Sequence, residues 1–265
     1  MVAPGLHLPL AVASDFDGVI ATPDLCNATL EAFAKPGSGK PRASPPTAGS
    51  QRVPASASDG GHAAQAGRRP DLHAPPEPAE WLQSEERWLR GEITSQQNLT
   101  AQFSTVTATA EQLNAFYQTA TIAPGFSRFA RALQQMRVPF AILSDGLDLY
   151  ITAILQRLGL EDAFFAVNHG QPSPAGLQVT FPHRDTVCPQ CGCCKAAFVL
   201  ALRQRCRRVL YIGDGMSDLC AAACATDVFA AGRLLDVYTR LGRPCHPFTT
   251  FPALLPHVQT LAAQA

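Results

Sequence analysis

A chain of 265 residues, of which 46% are hydrophobic, is long enough to bury a sizeable core in one large domain or two small ones. Its 21 basic residues equal its 21 acidic ones, so no bulk charge draws the chain toward nucleic acid or an anionic membrane. No apolar stretch approaches the ~20 residues needed to cross a bilayer, and nine cysteines in a chain this long favour reduced thiols in a cytoplasmic setting over a disulfide framework.

The first predicted element is a buried strand that ends in two carboxylates. Residues 8–14 form a mostly apolar run, and the segment Asp15-Phe16-Asp17-Gly18 follows it directly. Both acidic side chains then project from the carboxyl end of the strand, where open α/β sheets bind their ligands. Asp15 and Asp17 are therefore candidate catalytic residues.

Residues 35–80 differ in composition from the rest of the chain. They contain nine of the 22 prolines, and Val53 and Leu72 are their only large aliphatic side chains. Such a stretch cannot bury enough apolar surface to offset the entropy lost on ordering it. The composition predicts a disordered insert.

Helical signals resume after the insert. Apolar residues recur at helical spacing in residues 81–89, and Gly91 marks a C-terminal stop. Thr94 and Thr109 each precede a glutamine by three residues, which is the spacing of a capping box. We expect residues 23–123 to form a small helical domain interrupted by the insert.

From Pro124 onward, predicted strands alternate with helices. The predicted strands are 138–143, 164–167, 209–212 and 227–230. One predicted helix begins at 126, and the others cover 147–158, 196–205, 234–241 and 254–261. Strands separated by helices predict an α/β fold with a doubly wound parallel sheet. Its core consists of residues 1–22 and 124–265, with the helical domain inserted after the first strand.

Three further polar groups occur in this second part of the chain. Ser144-Asp145-Gly146 follows the strand 138–143, Lys195 precedes a helix, and Gly213-Asp214-Gly215-Met216-Ser217-Asp218 follows the strand 209–212. The groups that follow strands can converge with Asp15 and Asp17 at one edge of the sheet.

The converging residues suit hydrolysis of a phosphate monoester, which needs a nucleophile, a proton donor and positive charge. Asp15 can attack phosphorus, and Asp17 can protonate the leaving oxygen and later deprotonate water. Asp15, Asp214 and a backbone carbonyl offer the oxygen-only ligands that suit Mg²⁺.

The remaining residues can bind the phosphate. Ser144, expected at a helix N-terminus with Asp145 and Gly146 behind it, offers a hydroxyl and backbone N–H groups, and Lys195 adds a positive charge. Asp218 either orients the metal's waters or fixes Lys195.

The ordered motifs resemble the haloacid dehalogenase superfamily of aspartate-nucleophile phosphatases. The resemblance implies that Asp15, the carbonyl of Asp17 and Asp214 hold Mg²⁺. It also implies that the helical segment 23–123 is a cap that closes over the site and selects a small phosphorylated metabolite.

Four shorter runs look like the methionine-salvage branch of that superfamily. They are Gly91–Gln96, Leu143–Asp148, Cys191–Lys195 and Phe229–Leu235. Members of the branch dephosphorylate 2-hydroxy-3-keto-5-methylthiopentenyl-1-phosphate. The chain departs from the branch in its insert and at Ala231, where a lysine is expected.

Other functions remain open on the sequence. The substrate could instead be phosphoserine or a phosphoamine, the acceptor could be an alcohol, or the chain could be a non-catalytic relative that binds phosphate. Aromatic residues of the cap could line an apolar pocket for a methylthio group: Trp81, Trp88, Phe103, Phe116 and Tyr117. Phosphoserine would need a carboxylate clamp, for which the cap offers Arg87 and Arg90.

Four cysteines also suggest zinc, namely Cys188, Cys191, Cys193 and Cys194. They supply one C-x-x-C half-site, but the sequence has no second half at the usual spacing. Small buried side chains are the alternative interpretation for the remaining helical cysteines.

Replacing residues 35–80 with a short Gly/Ser linker is expected to leave the melting temperature and the turnover number largely unchanged. The reason is that the segment has too little apolar surface to pack. Calorimetry and a steady-state phosphatase assay compare the two proteins. A large fall in melting temperature would contradict the compositional argument.

Overall fold

The computed structural model describes residues 8–35, 79–186 and 188–263. The predicted insert at residues 35–80 therefore lies outside the described residues, apart from Lys35, Ala79 and Glu80. Within the described ranges, no helix is both long and apolar enough to cross a membrane.

Strands and helices alternate over most of the chain. The strands are β1 (Leu8–Ser14), β2 (Ala21–Thr22), β3 (Thr121–Ile122), β4 (Phe140–Leu147), β5 (Phe164–Ser173), β6 (Gly176–Thr180), β7 (Cys206–Gly213), β8 (Asp227–Ala230) and β9 (His246–Pro247). The helices are α1 (Leu25–Phe33), α2 (Glu80–Leu89), α3 (Ser95–Ser104), α4 (Ala110–Gln118), α5 (Phe126–Gln135), α6 (Asp148–Arg157), α7 (Lys195–Arg203), α8 (Leu219–Cys224), α9 (Gly232–Arg240) and α10 (Phe251–Ala263).

The central sheet has seven strands in the order β6-β5-β4-β1-β7-β8-β9. All neighbouring pairs are parallel except β5 and β6. The prediction of a doubly wound α/β sheet is confirmed, with one antiparallel edge strand added. β2 and β3 form a separate two-stranded ribbon.

Alternation along β1 explains why both faces of the sheet are covered. Leu10 and Val12 belong to one buried apolar cluster, and Ala11 and Ala13 belong to a second. Because successive side chains of a strand point to opposite faces, a strand with apolar residues at consecutive positions, as at 10–13, needs helices on both sides. β1 thereby becomes the buried centre of the sheet.

The helical segment has the predicted caps. Thr94 accepts a hydrogen bond from the N–H of Gln97, whose side chain accepts one from Thr94, and Thr109 and Gln112 repeat the arrangement. The larger apolar cluster runs from the sheet into this segment, where the Tyr117 ring lies 5.2 Å from that of Tyr150. The division into a cap of residues 23–123 and a core stays a prediction.

Three strands run beyond their predicted ends. β7 covers Cys206–Gly213 rather than 209–212. β4 runs on to Leu147, with a register irregularity after Leu143, rather than ending before Ser144. β5 continues into a hairpin with β6, which the sequence analysis missed because this edge is polar and rich in proline. The turn needs Gly176, at φ 121°, because a Cβ there would meet the carbonyl oxygen of Ser104 at 2.2 Å.

Thr109→Ala is expected to lower the free energy of unfolding by about 1 kcal/mol, since α4 loses its N-cap acceptor. Thr109→Ser is the matched control, because serine keeps the hydroxyl. Denaturant titrations of the three proteins measure the difference. Equal stabilities for the alanine and serine variants would show that the cap contributes nothing.

Candidate active site

The predicted site residues meet at the carboxyl ends of three adjacent strands. Asp15 and Asp17 follow β1, Ser144 to Gly146 end β4, and Asp214 follows β7, while Lys195 begins α7. One cavity is lined by all of them: Asp15, Asp17, Ser144, Asp145, Gly146, Lys195 and Asp214. Asp218 is fully buried beneath it.

Asp15 is held from two sides. Its Oδ1 accepts a hydrogen bond from the backbone N–H of Phe16 at 2.7 Å, and its Oδ2 lies 2.8 Å from Lys195 Nζ. Burial and the charge of Asp218 raise the pKa of Asp15 well above its usual value, and Lys195 opposes them. A carboxylate so placed depends on nearby positive charge to stay ionised.

The carboxyl group of Asp17 is also fixed in orientation. Its Oδ1 accepts the backbone N–H of Leu25 at 2.8 Å, and its Oδ2 accepts the hydroxyl of Tyr150. Burial and the charge of Asp24 raise the pKa of Asp17 to about 7. A carboxyl group with a pKa near neutrality can both donate and accept a proton during turnover.

Both carboxylate oxygens of Asp218 are engaged by neighbouring donors. Its Oδ1 lies 2.7 Å from Lys195 Nζ and accepts the hydroxyl of Tyr211 at 2.6 Å. Its Oδ2 accepts the backbone N–H groups of Asp214 at 2.9 Å and Gly215 at 3.0 Å. Of the two roles predicted for Asp218, this geometry favours fixing Lys195.

Ser144 occupies a different local structure from the one predicted. It lies inside β4, four residues before α6 begins, rather than at a helix N-terminus. Its Oγ accepts the backbone N–H of Gly146 at 2.9 Å, which closes a tight turn of backbone beside the cavity. The irregular end of β4, rather than a helix terminus, brings these groups to the cavity.

The side chain of Asp145 links two segments that border the cavity. Its Oδ1 accepts the backbone N–H of Cys193 at 2.6 Å, and its Oδ2 accepts the hydroxyl of Ser95 at 2.9 Å. The carboxylate therefore joins α3 to the loop that leads to Lys195. Any phosphate contact of Asp145 has to come from its backbone, because a carboxylate repels phosphate.

The acidic residues fit a hard divalent cation. Carboxylate oxygens of Asp15, Asp214 and Asp218 lie within 4.8 Å of one another. Burial and the charge of Asp218 raise the pKa of Asp214 to about 7. Since Asp218 is committed to hydrogen bonds, Asp15 and Asp214 are the pair whose repulsion a cation would relieve.

The profile of the haloacid dehalogenase-like hydrolases matches residues 9–226. The chain belongs to this family. Two relatives are named 2-hydroxy-3-keto-5-methylthiopentenyl-1-phosphate phosphatase. The one from Exiguobacterium sibiricum is 33% identical over 150 residues, 56% of this chain and 68% of the relative. The one from Bacillus pumilus is 29% identical over 178 residues, 66% and 77% of the two chains.

A solved structure of a phosphoserine phosphatase, described as a phospho-aspartyl intermediate analogue, resembles this haloacid dehalogenase-like hydrolase in fold. The TM-score is 0.59 at 13% identity, and the match covers 95% of this chain and 99% of the other. At that identity the likeness extends to the fold alone.

Several residues of this hydrolase's site were missed by sequence reasoning. Tyr150 lies 133 positions from Asp17, so nothing in the sequence links them before α6 is placed beside the segment that follows β1. Asp24 and Glu85 line the cavity from the helical segment without any motif. Arg233 also lines it, and its position in the run Phe229–Leu235 was the available signal.

Tyr150→Phe is expected to lower kcat by about tenfold with a smaller change in KM. A hydrogen bond to a charged group contributes about 1.5–3 kcal/mol, and its loss leaves Oδ2 of Asp17 without its hydroxyl donor while Leu25 still holds Oδ1. Steady-state kinetics measure both constants. Tyr117→Phe is the control, since Tyr117 accepts a hydrogen bond from Thr29 and does not contact Asp17. Equal effects of the two substitutions would show that the hydroxyl of Tyr150 does not position Asp17.

Proposed function

We propose that this chain hydrolyses the phosphate monoester of a small metabolite, using Mg²⁺ and an aspartyl-phosphate formed on Asp15. Membership of the haloacid dehalogenase-like hydrolases and the phosphatase names of its relatives make it a phosphatase. The observation that carries the mechanism is the buried Asp15, 2.8 Å from Lys195 and next to a carboxyl group with a pKa of about 7.

The first step is attack of Asp15 Oδ on phosphorus, with the ester oxygen as the leaving group. Asp17 in its protonated form gives its proton to that oxygen, so the alcohol departs neutral. In the second step Asp17, now ionised, takes a proton from water, which attacks phosphorus and releases Asp15 and inorganic phosphate. Lys195 carries positive charge beside the nucleophile throughout.

The carboxylates of Asp15 and Asp214, with the backbone carbonyl of Asp17, would hold Mg²⁺. When bound, the ion supplies positive charge that offsets the repulsion between the anionic nucleophile and the anionic substrate. The hydroxyl of Ser144 and the backbone around Gly146 lie beside the same cavity and are proposed to bind the phosphate oxygens.

Substrate choice is assigned to the helical segment 23–123, acting as a cap. Residues of α2 and α3 line the cavity: Glu85, Trp88, Leu89, Ser95, Asn98, Leu99 and Gln102. The chemical steps are indifferent to the leaving group, so specificity has to come from this wall.

We propose the thioether-bearing enol phosphate of methionine salvage as the substrate. Trp88, Leu89 and Leu99 give the cavity wall an apolar part that suits a methylthio group. The other four aromatic residues predicted to line the pocket do not line this cavity: Phe103 and Tyr117 are buried in the core, and Trp81 and Phe116 pack against it. The apolar part of the wall therefore depends on one aromatic ring and two leucines.

The charge of the same wall disfavours phosphoserine. Within the helical segment, the residues available for a carboxylate clamp are Arg87 and Arg90, and both form exposed ion pairs with Glu92. Arg233, which lines the cavity, belongs to α9 and not to this wall. Asp24 and Glu85 line the cavity instead and would repel a substrate carboxylate.

One observation favours a second candidate, a phosphoamine. Two carboxylates, Asp24 and Glu85, and the ring of Trp88 line one cavity, and such a set attracts an ammonium group. The two candidates differ in what they require of Glu85, because an ammonium gains from its charge and a thioether does not.

Asp15→Asn is expected to abolish turnover while the fold and phosphate binding persist, because the substitution is nearly isosteric. Asp17→Asn is expected to cost about 10²–10⁴-fold in kcat, the usual effect of losing a general acid–base. Steady-state assays, circular dichroism and binding of inorganic phosphate follow both variants. Substantial turnover by the Asp15 variant would refute covalent catalysis through that residue.

The substrate assignment predicts the highest kcat/KM for the enol phosphate when it is compared with phosphoserine and a phosphoamine. If kcat/KM for either competitor is more than about tenfold higher, the substrate assignment is overturned and the assignment of phosphatase activity stands. Glu85→Gln separates the candidates further. The substitution should reduce kcat/KM for a phosphoamine. It should leave kcat/KM for the enol phosphate nearly unchanged.

A further inference from the structure

Four cysteines border a cavity that shares no lining residue with the active-site cavity. They are Cys188, Cys191, Cys194 and Cys220. The first two lie in the loop before α7, Cys194 directly precedes α7, and Cys220 lies on α8. The sequence supplied one C-x-x-C half-site; packing of α7 against α8 adds a cysteine from 26 residues further along the chain.

Cys193, which falls outside the three-residue interval of the other cysteines in this loop, does not line the cavity. Its side chain is buried and donates to the carbonyl oxygen of Ala166 at 3.4 Å, within the apolar cluster behind the sheet. The cysteines at intervals of three residues, Cys188, Cys191 and Cys194, turn toward the shared cavity instead. All four cavity cysteines are free thiols.

Two of the four thiols are affected by burial and by the charges around them. Burial, followed by the charges of Asp145 and of the other three cavity cysteines, raises the pKa of Cys191 to about 12. The charges of Cys188 and Cys220 likewise act on Cys194. The proximity of the four residues itself is seen in the cavity that they all line.

We propose that Cys188, Cys191, Cys194 and Cys220 bind one soft divalent cation, Zn²⁺ in the first instance, as a structural site. Four thiolates are a common ligand set for structural zinc, with Zn–S bonds of about 2.3 Å. Soft sulfur ligands also keep the site distinct from the oxygen-only site at Asp15 and Asp214.

Ion binding requires the loop to close. Among the described residues, no three of these sulfur atoms all lie within 4.8 Å of one another. Cys194 and Cys220 are anchored by α7 and α8, whereas Cys188 and Cys191 belong to a loop outside any helix or strand. The ion would draw that loop onto the two helices.

The position of the site gives it a structural consequence. Cys194 adjoins Lys195, and Cys220 follows Asp218 by two residues, so the ion would join the two segments that hold the 2.7 Å contact between Lys195 and Asp218. Loading the site should therefore raise the melting temperature of the whole chain.

The test uses the full chain, purified with a non-thiol reductant and without chelator. Zinc content is measured by elemental mass spectrometry, and Co²⁺ loading is followed by thiolate-to-cobalt charge-transfer absorption, which carboxylate ligands do not give. Cys191→Ser and Cys220→Ser are compared with Cys245→Ser, a half-buried free thiol that does not line this cavity.

The proposal predicts one zinc per chain, a cobalt–thiolate band, and a zinc-dependent rise in melting temperature. Cys191→Ser and Cys220→Ser should each weaken zinc affinity by at least about tenfold, with the band reduced, and Cys245→Ser should match the unaltered chain. Absence of the band at excess Co²⁺ would overturn the proposal. So would unchanged zinc affinity in Cys220→Ser.

Discussion

The buried ammonium of Lys195 is the interaction on which the site depends. Its Nζ lies 2.8 Å from Asp15 and 2.7 Å from Asp218, and 2% of the side chain is exposed. A charge taken so far from water persists only when it is paired, and removing one partner leaves the others uncompensated. The lysine in turn holds Asp15 beside the cavity, while Asp218 orders the backbone from which Asp214 projects.

The fold supplies this arrangement through strand order. β1 lies between β4 and β7, so three loops from distant parts of the chain open at one edge of the sheet. Negative charge exceeds positive charge there, and the raised pKa values of Asp15, Asp17 and Asp214 all have burial as their largest cause. A cation and a phosphate ester are the partners that such an edge suits.

Much of the sheet and of the acidic site could be predicted from the sequence, because buried strands and the carboxylates at their ends leave local signals. These signals are residues 8–14, Asp15, Asp214 and the strands that alternate with helices after Pro124. Tyr150, the polar hairpin β5–β6 and the braced side chain of Asp145 could not be predicted, since each depends on contacts between segments far apart in the chain. The aromatic residues of the helical segment show the same limit: helical spacing predicts a buried face but does not say whether Phe103 faces a cavity or the core.

The proposed mechanism requires Asp15 to carry the phosphoryl group during turnover. Borohydride, added during turnover of p-nitrophenyl phosphate in the presence of Mg²⁺, reduces an aspartyl phosphate to homoserine, which peptide mass spectrometry can locate. We expect homoserine at position 15 and not at position 17, 214 or 218. Homoserine at another aspartate, or steady turnover without any reduced residue, would contradict it.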